Sequence, residues 1–372
     1  MPDPPHIADR DTSRRVLERC RELGFAACGI ADASPSARRD ELLSWLDAGK
    51  HGEMGWLAEH AELRADPGKV LEGARSVVVV GDLCAARNDR PDPPLGPGHG
   101  RIARYARGRD YHRVIKKRLH ALADDLRDRF PAAEFKVFSD TAPVPERELA
   151  ERAGLGWTGK HTLTIHPGLG SYLLLGGILT TLELDPPPDQ PAVADHCGTC
   201  TRCIDACPTD AITPYSVDAT RCVSYLTIEH RGPIDPDFHA AIGGWLFGCD
   251  ICQEVCPHNS PRPGRAQPPV REDYRSERDS FDLLEMLGWS EDDRRRELRG
   301  SAMKRGKLEM WRRNALICLA NQGRRDILES ALDDDSPLVS RTARDLLDAS
   351  PPEQRRRDPA GDDDGGGRDE PA

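Results

Sequence analysis

The sequence predicts a chain of mixed α/β and α+β class in three consecutive folded parts. Alternating helical and strand-like periodicity runs from the N-terminus to Asp185 and indicates an α/β domain. After the proline-rich stretch Asp185–Pro191, cysteine density rises and periodicity weakens, which is typical of a segment held together by metal. From Phe281 onward the helical period returns and predicts a small α-helical domain.

These changes predict domain boundaries near residues 185, 275 and 350. The expected parts are an α/β domain at 1–185, a cysteine-rich domain at 186–275 and a helical domain at 276–350. Residues 351–372 are too polar and too rich in glycine and charge to bury a core, so this tail is predicted to be disordered.

The predicted elements follow from the periodicity of each segment. In the N-terminal part they are a helix and strand over 13–31, a strand buried on both faces at Ser76–Gly81, a helix at Tyr111–Phe130, a strand at Phe135–Ser139, and one or two strands within Tyr172–Leu182. In the C-terminal part, three short antiparallel helices similar to a HEAT-type repeat are predicted at Asn314–Asn321, Asp326–Leu332 and Leu338–Leu347.

Composition limits the classes of function. The chain has 372 residues, a net charge of −11 and 12 cysteines. Its net acidity argues against a protein that coats nucleic acid, but leaves room for a local basic patch. The N-terminal segment up to Arg15 holds no apolar stretch, and the longest apolar run is too short to span a bilayer. Many cysteines without an export signal point to metal rather than disulfides, so we expect a cytoplasmic protein without membrane contact.

Two cysteine runs predict a bacterial ferredoxin-like domain with two [4Fe–4S] clusters. The run 197–208 has the spacing C-x₂-C-x₂-C-x₃-C-P, in which three thiolates bind one cluster and the fourth reaches the other. The run 249–257 has only three cysteines, so Cys222 is needed as the eighth ligand. The crossed pattern assigns Cys197, Cys200, Cys203 and Cys256 to one cluster, and Cys207, Cys222, Cys249 and Cys252 to the other.

The alternative to iron–sulfur clusters is a pair of zinc ribbons, which also use C-x₂-C pairs. The x₂-x₂-x₃ spacing and the repeated Cys-Pro ending favour the clusters. The other four cysteines, Cys20, Cys28, Cys84 and Cys318, lie alone among apolar residues and are expected to be small core residues.

Several polar, glycine-rich stretches carry a resemblance to a known family. They include His51–Leu57, Arg104–His112, Ser139–Arg147, Glu151–His161 and the block Ser301–Ala315. Together with the cysteine register, they closely resemble epoxyqueuosine reductase over about residues 13–348. That family carries out the final step of queuosine synthesis in tRNA.

The resemblance implies a cobalamin-dependent reductase that removes the epoxide oxygen of epoxyqueuosine at the tRNA wobble position. Electrons would pass singly from an external low-potential donor through the clusters to the cobalt. The N-terminal domain would then bind cobalamin. Neither Asp110-Tyr-His112 nor Asp237-Phe-His239 has the glycine of the D-x-H-x-x-G motif, so no histidine of that motif is expected below the cobalt.

By match to the family motif, Asp140 is the expected proton donor. A closed apolar pocket would have to raise its pKa for it to be protonated near neutral pH. The alternative is an aspartate that caps the helix expected near Pro145. Further candidate cofactor contacts, matched more weakly, are Arg64, Lys160, Thr164, Gly170, Ser171 and Ser224, for which surface ion pairs or loop packing are the alternatives. His161 is more simply a structural histidine.

A basic block between Arg294 and Arg313 predicts an RNA-binding surface. It holds nine Lys or Arg residues against two acidic ones, inside a chain of net charge −11. The candidates for contacts to the tRNA backbone are Lys304, Arg305, Arg312 and Arg313, with Trp311 or Tyr225 as possible base-stacking residues. The alternative is a solvated helix face with Glu–Arg pairs.

Three other functions compete with this interpretation. A cobalamin-dependent reductive dehalogenase uses the same cofactors but normally has a twin-arginine signal. A plain ferredoxin-type electron-transfer module leaves the segment 1–185 unexplained. An RNA-binding protein with structural clusters would have no turnover. No oligomerisation element is evident, so a monomer is expected.

Overall fold

The structure is a computed structural model that describes residues 10–87, 95–261, 267–275 and 278–349. The predicted tail at 351–372 lies outside these residues. The strands are β1 (Ala27–Asp32), β2 (Ser76–Leu83), β3 (His99–Ile102), β4 (Phe135–Phe138), β5 (Trp157–Thr158), β6 (Thr164–Ile165), β7 (Leu173–Thr180), β8 (Ile212–Thr213), β9 (Ser216–Val217), β10 (Trp245–Phe247) and β11 (Ser280–Asp282).

The helices are short apart from a few that build the core. They are α1 (Arg10–Glu22), α2 (Arg39–Asp47), α3 (Trp56–Glu59), α4 (Ala61–Ala65), α5 (Pro67–Val70), α6 (Tyr111–Arg129), α7 (Glu146–Arg152), α8 (Arg202–Asp205), α9 (Val223–Ile228), α10 (Pro236–Ile242), α11 (Ile251–Glu254), α12 (Leu283–Leu287), α13 (Glu291–Glu297), α14 (Leu308–Asn321) and α15 (Pro337–Asp348). Single 3₁₀ turns lie at Arg104–Ala106, Ala219–Arg221, Pro257–Asn259, Glu272–Tyr274, Ala302–Arg305, Arg325–Ile327 and Ser330–Asp333.

The N-terminal part is built on a four-stranded sheet in the order β1-β2-β7-β4. Every neighbouring pair in it is antiparallel, with Ile30 opposite Val78 and Val78 opposite Ile178. The expected α/β class is therefore corrected to α+β for this sheet. Apolar periodicity identifies strands without showing their direction, so the sequence could not separate the two classes.

Both faces of this sheet are covered, as the run of valines in β2 predicts. Val78 and Val80 pack with helices α1 and α6 on one face, whereas Val77 and Val79 pack with α7 on the other. All eight residues of β2 are buried. Because successive side chains of a strand point to opposite faces, burial on both sides requires an uninterrupted apolar run.

A second sheet joins segments that are far apart in the chain. Strand β3 lies at its centre, parallel to β10 and antiparallel to β11. Ile102 and the two residues Ala103 and Ala106 after it belong to the same apolar core as the helices after residue 219. The N-terminal part therefore shares a core with the C-terminal helices.

The C-terminal helices centre on α14, which packs against α10, α12 and α15. Two of the three predicted helices are present, within α14 and α15. The middle one, predicted at Asp326–Leu332, is wrong: the chain forms two 3₁₀ turns there. A segment this short lacks the length that favours an isolated helix, and its second turn, Ser330–Asp333, packs against α15. Among the described residues, no helix is long and apolar enough to cross a membrane.

Candidate functional site: a carboxylate–histidine chain and the cysteine loops

Asp140 follows strand β4 in a left-handed backbone conformation, with φ of 57°. Its side chain does not cap α7, which begins at Glu146 after Pro145 and has no side-chain cap. Instead, the backbone N–H of Asp140 donates to Oε1 of Glu146 at 2.5 Å. The capping alternative therefore does not describe this aspartate, and its carboxylate, 52% exposed, is available for other contacts.

The carboxylate of Asp140 is the end of a chain of charged groups. Its Oδ2 lies 2.8 Å from Nε2 of His112, and Nδ1 of His112 lies 2.7 Å from Oδ1 of Asp110. The other oxygen of Asp110 accepts a hydrogen bond from Nζ of Lys304 at 2.7 Å. Both nitrogens of His112 are thus occupied by carboxylates, so this histidine is not free to bind a metal.

The sequence positions these groups by helix capping. Asp110 is the N-cap of α6 and accepts from the backbone N–H of His112, which fixes the first turn of the helix beneath both residues. The ring of Tyr111 stacks on that of His112, with centroids 4.0 Å apart. Sequence reasoning missed His112, although an aspartate two residues before a histidine at a helix start was a usable signal.

The pKa of Asp140 is lowered, contrary to the expectation of a raised one. Burial would raise the pKa, but the hydrogen bond and positive charge of His112, with the charge of Arg305, outweigh it. The pKa of His112 is raised to about 9, because its bonds to Asp110 and Asp140 exceed the effect of burial. At neutral pH the proton of this pair therefore lies mainly on His112.

Two more ionisable groups lie against Asp140. The pKa of Glu146 is raised to about 8, first by burial and then by the charge of Asp140. The guanidinium of Arg64 interacts with both carboxylates, and its Nε is buried without a hydrogen bond inside the described protein. Of the other candidate cofactor contacts, Arg64 is thus the one whose charge interacts with Asp140.

The remaining candidate contacts lie nearer the cysteine loops. Lys160 donates to the carbonyls of Gly198 and Cys200 at 2.7 and 3.0 Å. The hydroxyl of Ser171 bonds to Gln253 at 3.0 Å and accepts from the side chain of Asn259 at 2.9 Å. These two side chains are therefore committed to protein groups rather than free for a cofactor.

The last three candidates differ in their surroundings. Thr164 is buried, and its hydroxyl makes no hydrogen bond within the described residues. Gly170 has φ of +86°, and a side chain there would collide with Asn259. Ser224 is partly buried at the start of α9. His161 is buried, and burial lowers its pKa to about 4; its Nδ1 accepts from Leu163, while its Nε2 has no partner among the described groups.

The eight cysteines fall into two neighbourhoods. The pKa of Cys256 is raised to about 11, by burial and then by the charges of three others, Cys197, Cys203 and Cys200. The pKa of Cys249 is raised by burial and by Cys222 and Cys207, and that of Cys252 by burial, by Cys249 and Cys222, and less by Cys203 of the other group. The strongest of these interactions join members of the same group in the crossed pattern, which stays a prediction. Within the described residues, no three His, Cys, Asp or Glu side chains converge as single-metal ligands would.

Trp157, in strand β5 of the N-terminal part, contacts the first cysteine loop. The sequence does not predict this contact. Its indole N–H donates to Sγ of Cys197 at 3.5 Å, and its ring meets His196 and His258 edge-on. Only 1% of the tryptophan is exposed.

Not all residues of the basic block are exposed to solvent. Arg313 is fully buried and donates to the carbonyls of Leu226, His230 and Gly232, so its predicted contact with the tRNA backbone is wrong. It lies on the inward face of α14, where a guanidinium can satisfy several carbonyls at once. Trp311 and Tyr225 are likewise buried, so neither can stack on a base in this conformation.

The other three basic candidates have acidic partners. Lys304 pairs with Asp110, Arg305 with Glu229 at 2.5 Å, and Arg312 with Asp334 at 3.3 Å. The side chains of Lys304 and Arg305 are 59% and 47% exposed, whereas that of Arg312 is only 22% exposed.

Known families match two segments of the chain. A model described as a 4Fe-4S double cluster binding domain matches residues 196–259, which favours iron–sulfur clusters over zinc ribbons. A model described as epoxyqueuosine reductase QueG, DUF1730, matches residues 64–141, the segment that contains Asp110, His112 and Asp140.

Curated relatives and solved structures match over most of the chain. The epoxyqueuosine reductase of Xanthomonas campestris pv. campestris is 41% identical, over 91% of this chain and 94% of the relative. That of Escherichia coli K12 is 40% identical, over 83% and 81%. A crystal structure of epoxyqueuosine reductase with an epoxyqueuosine-modified tRNA-Tyr stem loop has a TM-score of 0.78 at 28% identity, over 90% and 88%. The Streptococcus thermophilus enzyme has a TM-score of 0.76 at 26% identity, over 95% and 96%. This chain therefore belongs to the epoxyqueuosine reductase family.

Proposed function

We propose that this chain is an oxidoreductase that reduces epoxyqueuosine to queuosine at the wobble position of tRNA. The observation that carries the proposal is the acid chain at Asp140, which lies inside the segment that matches the family model. Family membership supports the same substrate, since relatives near 40% identity carry the name epoxyqueuosine reductase over most of their length.

The electron path uses two [4Fe–4S] clusters. We assign Cys197, Cys200, Cys203 and Cys256 to one cluster, and Cys207, Cys222, Cys249 and Cys252 to the other. The donor set supports this assignment, because Cys256 interacts with Cys197, Cys200 and Cys203, Cys249 interacts with Cys222 and Cys207, and none of these cysteines is in a disulfide. An external low-potential donor would supply the electrons one at a time.

Cobalamin is the proposed acceptor of these electrons. Its many amide groups need polar partners, and Arg64 Nε, Thr164 Oγ1 and His161 Nε2 are buried atoms without a hydrogen bond among the described residues. We propose Arg64, Asp140, Thr164, Gly170 and Ser224 as contacts. Lys160 and Ser171 are weaker candidates, since both already bind protein groups. When bound, cobalamin would supply the low-valent metal that delivers electrons to the epoxide carbon.

Asp140 is proposed to donate a proton to the epoxide oxygen. As the C–O bond opens, negative charge develops on this oxygen, and a positioned acid lowers the barrier. The carboxylate is partly exposed at the end of β4, where a substrate can approach it. The positive charge of Arg64 interacts with Asp140 and can stabilise developing negative charge.

The tRNA is proposed to bind through the basic block between Arg294 and Arg313. This block belongs to the proposed HEAT-like helical domain at 276–350, which follows the proposed domains at 1–185 and 186–275. Arg305 and Lys307 are its main exposed cations. Lys304 is also exposed but already bonds to Asp110, and Arg312 is mostly covered, so these two are lesser candidates. An anticodon stem loop would meet phosphate contacts here. We propose a cytoplasmic, monomeric enzyme.

The proposed function has a direct test. The clusters are reconstituted without oxygen, cobalamin and a chemical reductant are added, and tRNA that carries epoxyqueuosine is followed by mass spectrometry. We expect the modified base to lose the mass of one oxygen atom. Asp140→Asn, which keeps the size of the side chain, should lower the rate by roughly 10²-fold or more. Full activity in Asp140→Asn would contradict the proposed acid, and no conversion by the wild type would contradict the function.

A further inference from the structure

The chemistry of the proposed reaction needs more protons than Asp140 holds. Removal of an epoxide oxygen as water leaves a carbon–carbon double bond and consumes two electrons and two protons. One carboxyl group carries one proton, so it must be reloaded before the second transfer. In addition, the pKa of Asp140 is lowered, so in the resting state its proton must first come from a neighbour.

The neighbour that holds a proton is His112. It lies 2.8 Å from Asp140 and is held on its other side by Asp110 at 2.7 Å. Asp110 is 3% exposed, whereas the side chain of His112 is 23% exposed and can exchange protons with solvent. The other charged and titratable groups around His112, Asp110 and Asp140 are Tyr105, Tyr111, Lys304, Arg305, Glu146 and Arg64.

Lys304 completes the arrangement from a distant part of the sequence. Its ammonium bonds to the buried carboxylate of Asp110, and the same turn is fixed by a 2.6 Å hydrogen bond from the backbone N–H of Asp110 to the carbonyl of Gly300. A phosphate contact would compete with this buried partner. Lys304 is thus placed to hold Asp110, which in turn holds His112.

We propose that Lys304, Asp110 and His112 form a proton-supply chain that reloads Asp140, and that Lys304 is a positioning residue of this chain rather than a contact to tRNA. The inference rests on the proposed function. His112 gives the proton on Nε2 to Oδ2 of Asp140 and becomes neutral, while its Nδ1–H stays bonded to Asp110. Solvent then returns a proton to Nε2. No electrons move in this step, and two passes supply the two protons of the reaction.

The first test separates a positioning role of Lys304 from RNA binding. Lys304→Met and the matched control Lys307→Met each remove one exposed positive charge from the short segment 304–307, but of the two only Lys304 contacts Asp110. Rate and KM are measured with the holoenzyme and an epoxyqueuosine stem loop. We expect Lys304→Met to lower kcat about tenfold or more, because positioned proton transfer is impaired, with a KM within about twofold of the wild type. Lys307→Met should instead raise KM and leave kcat near that of the wild type. Lys304→Arg should restore most of the rate.

The second test concerns the proton itself. Asp110→Asn removes the charge that favours protonated His112, so the basic limb of the kcat–pH profile should move to lower pH. His112→Gln should lower kcat by roughly 10²-fold and remove that limb. Cluster absorbance and the melting temperature show whether each variant is folded, and the His112 and Asp110 variants test the chain even if Lys304→Met is unstable.

The outcomes distinguish the two proposals. If Lys304→Met raises KM as Lys307→Met does while kcat and the pH profile remain those of the wild type, Lys304 is an RNA contact and the inference is overturned. Wild-type kcat and pH dependence in His112→Gln would also overturn it while leaving the proposed function intact. If the wild type does not convert the substrate, the proposed function itself fails.

Discussion

Replacement of Arg313 by methionine should destabilise the protein without a specific effect on RNA binding. The guanidinium is 0% exposed and donates to three carbonyls at 2.6–2.7 Å, those of Leu226, His230 and Gly232. Methionine fills much of the volume but leaves these acceptors without their donor. Each hydrogen bond to a charged group contributes about 1.5–3 kcal/mol. Because some of the carbonyls can recruit water, we expect a loss of about 3–6 kcal/mol in the free energy of unfolding.

The assay compares Arg313→Met with Arg305→Met, which removes an exposed cation from the same block. Thermal melting of the cluster-loaded protein should show a drop of roughly 5 °C or more for Arg313→Met and little change for Arg305→Met. Stem-loop binding, measured well below the melting temperature, should weaken only for Arg305→Met. If Arg313→Met melts like the wild type but binds the stem loop less tightly, the argument from burial is wrong.

Three further predictions concern other parts of the molecule. Glu146→Gln should be more stable than the wild type at pH 9 but nearly equal to it at pH 4.5. The pKa of Glu146 is about 8 in the folded state against 4.5 in the unfolded state, so the wild type loses stability as the pH rises between these values. If the melting temperatures of the variant and the wild type depend on pH in the same way, this prediction is wrong. Cys222→Ser should lower the iron and sulfide content by about half, whereas Cys28→Ser should not; unchanged iron content would remove Cys222 from the ligand set. Gly29→Ala should lower the melting temperature, because its Cβ would lie 1.9 Å from a carbonyl at the end of α7, while Gly244→Ala, with open space around it, should melt like the wild type.

The parts of the fold that the sequence predicts are those set by local spacing. Cysteine spacing alone indicates the double cluster domain, and the family model at 196–259 agrees with it. The unbroken valines of β2 correctly predict burial on both faces. Strand direction is different, because the pattern of side chains along a strand is the same in parallel and antiparallel sheets. The antiparallel order could therefore be seen only in the structure.

Of the candidate acid site, the sequence predicts only the residue that a family motif marks. Asp140 was found by resemblance, but its environment depends on His112 and Lys304, which belong to other elements of the chain, the start of α6 and the 3₁₀ turn before α14. The pKa of Asp140 consequently differs in direction from the expectation. Arg313 was misassigned for a similar reason: a run of basic residues on a helix gives the local charge, but not which face of the helix turns inward.

The sheet centred on β3 also bears on how the enzyme can be divided. Strand β3 comes before the proline-rich stretch, whereas both of its neighbours, β10 and β11, come after it. A fragment that ends at residue 185 would leave β3 with two open edges, and one that begins there would lose the middle of its own sheet. We therefore expect that neither fragment folds by itself, and that the segment with Asp140 and the segment with the eight cysteines fold together.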